Sequence, residues 1–475
     1  MEAEVKYKDE RIAHWDGVAR QLETWKGWGG YYHKRLIQLY QYLVSPGHRV
    51  LEIGCGMGDL LSALKPSVGV GVDFSEEMVK RARQRHPELH FILADAHELK
   101  LNEKFDVIIL SDLLNDLWDV QTVFAQVASL SESHTRIIIN SYNRLWELPL
   151  TVAEKLRLAK PRLYQNWLTV EDITNLLNLA DFEVIRHRVE ILWPLKTPFF
   201  GDLCNRYLVK LWPFKHFALT HFIIARPRSQ NEPLSEEPLV SVIIPARSEA
   251  GHIPQIFERI PQMGSGTELV FVEGHSKDDT YETIEREIAA HPEWQCKLLR
   301  QTGVGKGDAV RLGFENAKGD VLIILDADLT VPPEDLPRFY KVLRSGKGEF
   351  VNGVRLVYPM EKEAMRFFNL VGNKFFSLAF SWLLEQEIKD TLCGTKALWK
   401  KDYNRIVENR AYFGDFDPFG DFDLLFGAAK LILKIVEMPI RYRERSYGTT
   451  NISRWRHGWL LLKMVLFASR RIKFV

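Results

Sequence analysis

Three glycines and one carboxylate form the first set of residues whose types and spacing suggest chemistry. Gly54, Gly56 and Gly58 follow the apolar run RVLEI, and Asp73 ends the next run, GVGVD, 19 residues after Gly54. Glycines just past a buried strand allow a tight turn and close approach of a ligand to the backbone. A carboxylate ending the neighbouring strand can accept both hydroxyls of a ribose. The second set is Asp326 and Asp328, in LIILDADLT. Strand side chains alternate, so both point to the same side, where two carboxylates can hold a Mg²⁺ or Mn²⁺ ion that also takes diphosphate oxygens. A third region, GDFDPFGDFDLL (Gly414–Leu425), carries four acids in nine residues and precedes the basic run RYRERSYGTTNISRWRHGW. Its acids can cap a helix N-terminus or serve as the base that transfer to a hydroxyl needs.

These residues must be positioned by alternating strands and helices. RVLEI, VGVGVD, HFILA, FDVIIL and TRIIINS are separated by helical stretches such as SEEMVKRARQRH, which is βαβ repetition. LTVEDITNLLNLADFEVI adds a helix with Thr169 at its N-cap and Asp172 three residues on, a variant capping box. WELPLTVAEKLRLAKPRLYQNW reads as an insertion able to cover a substrate pocket. RPRSQNEPLSEEPL is polar and reads as a linker. Beyond it the alternation resumes with VSVIIP, ELVFVEG, a helix from Asp279, CKLLR, a helix after Gly307, and DVLIILDAD. The expected fold class is α/β with two doubly wound domains, residues 1–226 and 239–475, joined by a linker at 227–238.

Composition narrows the function classes. The 475 residues carry 63 basic and 62 acidic side chains, so the net charge of +1 argues against a nucleic-acid partner. Cys55, Cys204, Cys296 and Cys393 form no CxxC pair, which favours free thiols over disulfides or zinc. The charged N-terminus lacks the apolar core of a signal peptide, and no stretch reaches a membrane-spanning length. The expectation is a cytoplasmic protein, at most peripheral at the inner face of a membrane. The segments MRFFNLVGNKFFSLAFSWLLEQ and RWRHGWLLLKMVLFASRRIKFV mix aromatics with cations, as helices at a lipid interface do, or as helices packed on their own domain do.

The glycine loop has the spacing GxGxG, not the GxGxxG of dinucleotide-binding enzymes. With Asp73 and Asp95 in register, residues 30–226 resemble class I S-adenosylmethionine-dependent methyltransferases of Rossmann-like fold. The resemblance implies that Glu52, Gly54, Gly56 and Gly58 form the methionine-side loop and that Asp73 holds the ribose. It further implies that Phe74, Asp95 and Ala96 flank the adenine and that Ser111 and Asp112, ending the fourth strand, face the transferred methyl. Tyr31, Tyr32 and His33 precede the first strand, where such enzymes often carry a substrate-facing segment; an aromatic pair there packs a core as often. No dedicated general base is evident, and methyl transfer does not require one when alignment of nucleophile and sulfonium supplies most of the effect.

DADLT also fits the nucleophile motif of haloacid dehalogenase-like phosphatases, but that motif opens its domain, whereas about 85 residues of βα pattern precede it here. Residues 238–475 resemble family 2 glycosyltransferases of GT-A fold, particularly the polyprenyl-phosphate sugar synthases. The resemblance implies that Pro245, Ala246 and Glu249 line base and ribose. Arg247 stands where an aromatic residue is usual, and Glu273 replaces an Asp expected at the base, leaving a UDP- or GDP-linked donor open. Lys306 would approach the diphosphate, and Asp326, Ala327 and Asp328 the metal-bound donor. Asp421 or Asp423 would be the acceptor-side carboxylate, with Arg441 and Arg454 in the loop that neutralises the leaving group. The implied acceptor is a lipid phosphate or a glycan. Two donor sites on one chain suggest a bifunctional enzyme that methylates and glycosylates within one glycan, glycolipid or secondary-metabolite pathway. The alternative is a glycosyltransferase carrying a non-catalytic methyltransferase-like module for regulation or recruitment.

Overall fold

Strands whose residues are apolar on both faces have to be covered on both sides, which a parallel sheet flanked by helices achieves. In the computed structural model, which describes residues 2–22, 30–155, 163–228, 236–355, 367–412, 422–441 and 454–474, two such sheets form. They belong to two compact units, Met1–Arg228 with Phe474–Val475, and Ser229–Lys473.

The first unit contains β1 (Arg49–Ile53), β2 (Val68–Asp73), β3 (His90–Leu93), β4 (Val107–Ser111), β5 (Arg136–Tyr142), β6 (Phe182–Glu190) and β7 (Thr220–Pro227). Their order is β3-β2-β1-β4-β5-β7-β6, with β1 to β5 parallel and β7 antiparallel to both neighbours. Leu51, Ile53, Ile108 and Leu110 pack with Phe124 and Val127 of the helix Val120–Ser129 and with Ile173 and Leu177 of the helix Val170–Leu179. That last helix starts at the Thr169–Asp172 capping box, with both reciprocal bonds formed.

The second unit contains β8 (Val240–Ala246), β9 (Thr267–Glu273), β10 (Gln295–Arg300), β11 (Val321–Ile324), β12 (Phe350–Val354), β13 (Lys396–Trp399) and β14 (Ile435–Pro439). Their order is β10-β9-β8-β11-β13-β12-β14, with β13 antiparallel to its neighbours. Strand alternation divides the core in two. Val242 and Ile244 meet Ile256 and Phe339 on one face, while Ile243 and Ile324 meet Phe314 and Phe380 on the other. Phe314 is fully buried, edge-on to Tyr403 at 4.7 Å; truncating a core Phe to Ala costs about 3–5 kcal/mol. Both sheets are mixed α/β, as the expected fold class requires. The antiparallel strands β7 and β13, each lying between two neighbours, were not expected, because the sequence alternation gives strand identity and not direction.

Candidate active sites

In an open α/β sheet the crevice for ligands lies beyond the carboxyl ends of the strands where the order reverses. In the first unit that point lies between β1 and β4. Ile53 pairs with both Val72 and Leu110, so Gly54, Asp73 and Ser111 arrive at one edge. Gly54, Gly56 and Gly58 all have left-handed backbones, with φ of 75°, 52° and 76°. A Cβ on Gly58 would come within 2.5 Å of Phe91 Cζ, and one on Gly54 within 2.8 Å of Leu113 Cδ1. A Cβ on Gly56 would meet nothing within 4 Å. The outer two glycines therefore serve the protein's own packing, while the middle one leaves space for a ligand.

Asp73 braces this loop, its Oδ2 accepting from Gly56 N at 2.8 Å and its Oδ1 from Ser75 N at 2.9 Å. Burial raises its carboxyl despite those bonds. Phe74 beside it is half-buried. Glu52 is 3% exposed, and its Oε2 has no hydrogen-bond partner among the described residues. Burial pushes that carboxyl well above the usual range. An unmatched buried acceptor beside a glycine loop is what a cationic or hydrogen-bonding ligand would satisfy.

At the end of β3, Asp95 accepts from His97 Nδ1 at 2.7 Å and pairs with Lys8 Nζ at 2.6 Å. The His97 bond, with Lys8 behind it, holds the Asp95 carboxyl well below its ordinary value. Ala96 is buried next to it. Lys8 lies on the helix Glu2–Leu22, whose Asp16 accepts from Ser75 Oγ at 2.5 Å and whose Ala19 packs with Met57 of the glycine loop. The sequence did not mark this helix as part of the site, because it is highly charged and has no clear apolar stripe.

At the end of β4, half-buried Ser111 is followed by Asp112, a non-glycine residue at φ 51°. Tyr32 Oη lies 2.9 Å from each Asp112 oxygen, and Asn140 Nδ2 donates to Oδ1 at 2.5 Å. Tyr40 Oη in turn donates to Asn140 Oδ1 at 2.6 Å. Burial pushes the Asp112 carboxyl up to about 7, against the lowering pull of the Tyr32 and Asn140 bonds. A carboxyl poised there can accept a proton near neutral pH. Tyr32 and Asp112 are both legible in the sequence, but a separation of 80 positions hid their contact.

In the second unit the order reverses between β8 and β11, where Ile243 pairs with Ile324. Just beyond, Asp326 Oδ1 is 2.6 Å from Lys306 Nζ. A Cβ on Gly394 would overlap both groups. Gly394 is delivered by the turn before β13, which the buried Asp390 fixes. Its two oxygens take Arg355 Nε at 2.7 Å and a terminal nitrogen at 2.9 Å, and Oδ1 also accepts from Leu392 N at 3.0 Å. Burial would raise Asp390, but the guanidinium of Arg355 prevails and its carboxyl lies below the ordinary value. Asp328 Oδ1 accepts from Thr330 N at 3.1 Å and Oγ1 at 2.8 Å, and Ala327 is buried. Lys306 opens the helix Lys306–Asn316, whose N-cap position, Gly305, offers no side-chain cap and faces open space. An uncapped helix start beside a lysine favours an anion.

The other residues expected at the nucleotide-sugar donor lie at the same edge. Buried Glu249 bonds His252 Nδ1 at 2.8 Å, and Glu273 Oε1 accepts from Ser276 N at 2.6 Å. Pro245 is half-buried, and Ala246 accepts from Gly274 N at 2.9 Å. Asp423 Oδ2 has Arg410 at 3.4 Å and Arg311 at 3.8 Å. Arg441 is exposed; Asp421 and the side chain of Arg454 lie outside the described residues. Gly394, Asp390 and Arg355 escaped sequence reasoning, since a lone glycine between strands carries no local signal.

The Methyltransferase domain model matches residues 44–182, and the Glycosyl transferase family 2 model matches residues 241–406. The dolichol-phosphate mannosyltransferase of Pyrococcus furiosus is 29% identical over 251 residues, covering 50% of this chain and 67% of that protein. The undecaprenyl-phosphate 4-deoxy-4-formamido-L-arabinose transferase of Aeromonas hydrophila is 34% identical over 112 residues, covering 23% of this chain and 34% of its own length. The chain thus spans less than two thirds of the second relative. Among solved structures, the magnesium protoporphyrin IX methyltransferase of Synechocystis PCC 6803 with bound SAH is 22% identical, covers 44% of this chain and 84% of that one, and gives a TM-score of 0.29. The chain joins a methyltransferase domain to a glycosyl transferase family 2 domain.

Proposed function

We propose that the chain is a bifunctional enzyme that transfers a methyl group from S-adenosylmethionine and a sugar from a nucleotide-linked donor to one class of glycan or glycolipid. The observation that carries this reading is that each unit gathers its reactive groups at the switch point of its own sheet. In the first unit, open space at Gly56, the Asp73 carboxylate and the unmatched Glu52 oxygen support S-adenosylmethionine as the ligand. When bound, it supplies an electrophilic methyl. Asp112 would orient an acceptor hydroxyl and take its proton as the oxygen–methyl bond forms, with Tyr32 and Asn140 holding the carboxyl in place.

In the second unit, Asp326 and Asp328 offer only hard oxygens, the donors Mg²⁺ or Mn²⁺ prefers. Among the described residues no group of three or more His, Cys, Asp or Glu comes together, so ligand phosphates would have to complete the shell. Such an ion would neutralise charge on the leaving diphosphate. Lys306, and Arg441 and Arg454 of the basic segment, would add to that neutralisation. Transfer to a lipid phosphate would need no base, because that acceptor is already anionic; a hydroxyl acceptor would call on Asp421 or Asp423.

Peripheral membrane contact fits the outer faces of the helices Phe367–Leu384 and Arg454–Ala468. Phe375, Leu378, Trp459 and Leu466 are exposed there, although the inner faces pack into the core. No helix among the described residues is long and apolar enough to cross a membrane. Calorimetry tests the proposal: Asp73→Ala should abolish S-adenosylmethionine binding and leave nucleotide-sugar turnover intact. Wild-type protein that fails to bind S-adenosylmethionine would favour a non-catalytic module instead.

A further inference from the structure

The segment that precedes β7 carries an unusual surface. Between residues 196 and 217 the chain makes a series of short helical turns, Phe200–Asp202, Leu203–Tyr207, Leu208–Lys210 and Phe214–Phe217. Their inner residues are conventional: Cys204, Asn205 and Val209 are buried. The outer ones are large and apolar. Phe199 is 89% exposed and Trp212 is 77% exposed, with Phe217 also in the open. A second exposed apolar row adjoins them. It comes from the turn and helix after β5, where Leu145, Leu148 and Val152 point outward. The two rows are tied together, since Trp146 Nε1 donates to Phe217 O at 2.9 Å and Asn143 Nδ2 to His216 O at 3.1 Å. Monomeric proteins rarely leave apolar surface of this extent uncovered unless something docks on it.

The charges around this surface say what docks. Lys196, Arg206 and Lys215 are exposed within the segment, and Asp202 is its only acid. Exposed aromatics in a segment with three exposed cations, beside an adjoining turn that contributes Arg144 and Glu147, match the boundary between acyl chains and anionic headgroups. Several backbone amides of these turns bond within the segment, among them Gly201 N to Thr197 O at 2.9 Å, Leu203 N to Phe199 O at 3.0 Å and Lys215 N to Leu211 O at 2.9 Å. Asn205 ties the segment to the chain before it, accepting from Leu192 N at 2.8 Å and Trp193 N at 2.7 Å and donating to Trp193 O at 2.7 Å. Those amides are already satisfied when the side chains enter an interface. Asn205 Nδ2 also donates to Tyr31 Oη at 3.1 Å, one residue before the tyrosine that bonds Asp112. The surface thus adjoins the acceptor edge of the methyltransferase site.

We propose that the methyltransferase unit itself docks on an anionic lipid surface through segment 196–217 and the adjoining 145–152 turn. This deepens the reading above, by placing the methyl acceptor among lipid-borne molecules, and rests on it for the identity of the site.

The test is co-flotation of the full-length chain with vesicles of phosphatidylcholine and phosphatidylglycerol in equal parts, against vesicles of phosphatidylcholine alone. The triple variant Phe199→Ser, Trp212→Ser, Phe217→Ser should lose at least about tenfold in partitioning to the mixed vesicles. Lys196→Glu with Lys215→Glu, which leaves the apolar tips in place, should lose about fivefold per cation and abolish the preference for phosphatidylglycerol. S-adenosylmethionine calorimetry on each variant reports that the fold and the methyl-donor site persist, so failure of the inference is distinguishable from failure of the enzymatic reading. Unchanged partitioning in either folded variant would overturn the proposal. So would loss confined to a Trp459→Ser, Leu466→Ser variant of the other unit, or a wild-type dimer in solution that the triple variant converts to monomer.

Discussion

Replacing Asp112 with Asn should flatten the pH dependence of stability in the methyltransferase unit. The carboxyl sits at about 7 in the folded chain against 3.8 ordinarily, because burial penalises its charged form more than Tyr32 and Asn140 stabilise it. Between those two values the folded state binds more protons than the unfolded one. Its stabilising protonated form is fully available below the unfolded value and is lost as pH rises through about 7. A difference of roughly three pKa units corresponds to about 4 kcal/mol, of which about 2–3 kcal/mol falls between pH values of about 5 and 8. For a unit of this size that is roughly 5–10 °C in melting temperature. Scanning calorimetry of wild type and Asp112→Asn across that range isolates the effect, because other titrating groups such as Glu52 contribute to both proteins. The variant should lose less stability on going to alkaline pH, and equal slopes would refute the burial argument. The catalytic consequence has the opposite sign. If Asp112 accepts the acceptor's proton, the methyl-transfer rate of the wild type rises as pH passes about 7, and the variant is slower by about 10²–10⁴ with that rise absent.

The glycines make contrasting predictions. Gly58→Ala should destabilise the unit by about 2–4 kcal/mol, because a left-handed φ and contact with Phe91 coincide. Gly56→Ala, facing open space, should cost only about 1–2 kcal/mol but lower S-adenosylmethionine affinity at least about tenfold, as read by calorimetry and melting together. Gly394→Ala should separate Lys306 from Asp326 and weaken nucleoside-diphosphate binding by about tenfold or more, measured by titration with UDP and GDP; unchanged affinity for both would remove this pair from the donor site.

What the sequence made legible was set by how local the physical requirement is. A left-handed turn after a buried strand demands glycine at fixed positions, so the loop at 54–58 could be read directly and one residue of spacing separated methyl donor from dinucleotide. The Thr169–Asp172 cap was equally readable, because both partners lie within one helical turn. Strand direction was not, since alternating apolar positions read the same either way, and β7 and β13 run antiparallel to both of their neighbours. Nor was the Lys8–Asp95 contact or the Gly394 cradle, each of which joins positions far apart in the chain. Only the fold brings those together.

The two sites also differ in how much of their machinery is already in place. In the methyltransferase unit the carboxylates that would meet the donor are held by the protein itself, Asp73 by backbone amides and Asp95 by His97 and Lys8. Binding there would exchange these bonds for ligand hydroxyls and cost little reorganisation, which favours a preorganised site. In the glycosyltransferase unit the ammonium of Lys306 sits against Asp326, where a divalent ion would compete with it. Metal and donor would therefore bind together, the diphosphate drawing Lys306 away as the ion takes the carboxylate. Nucleoside diphosphate should accordingly bind more tightly with Mn²⁺ present, by a factor that shrinks when Lys306 is replaced by Met. Equal metal dependence in wild type and Lys306→Met would show that the lysine and the ion do not share that carboxylate.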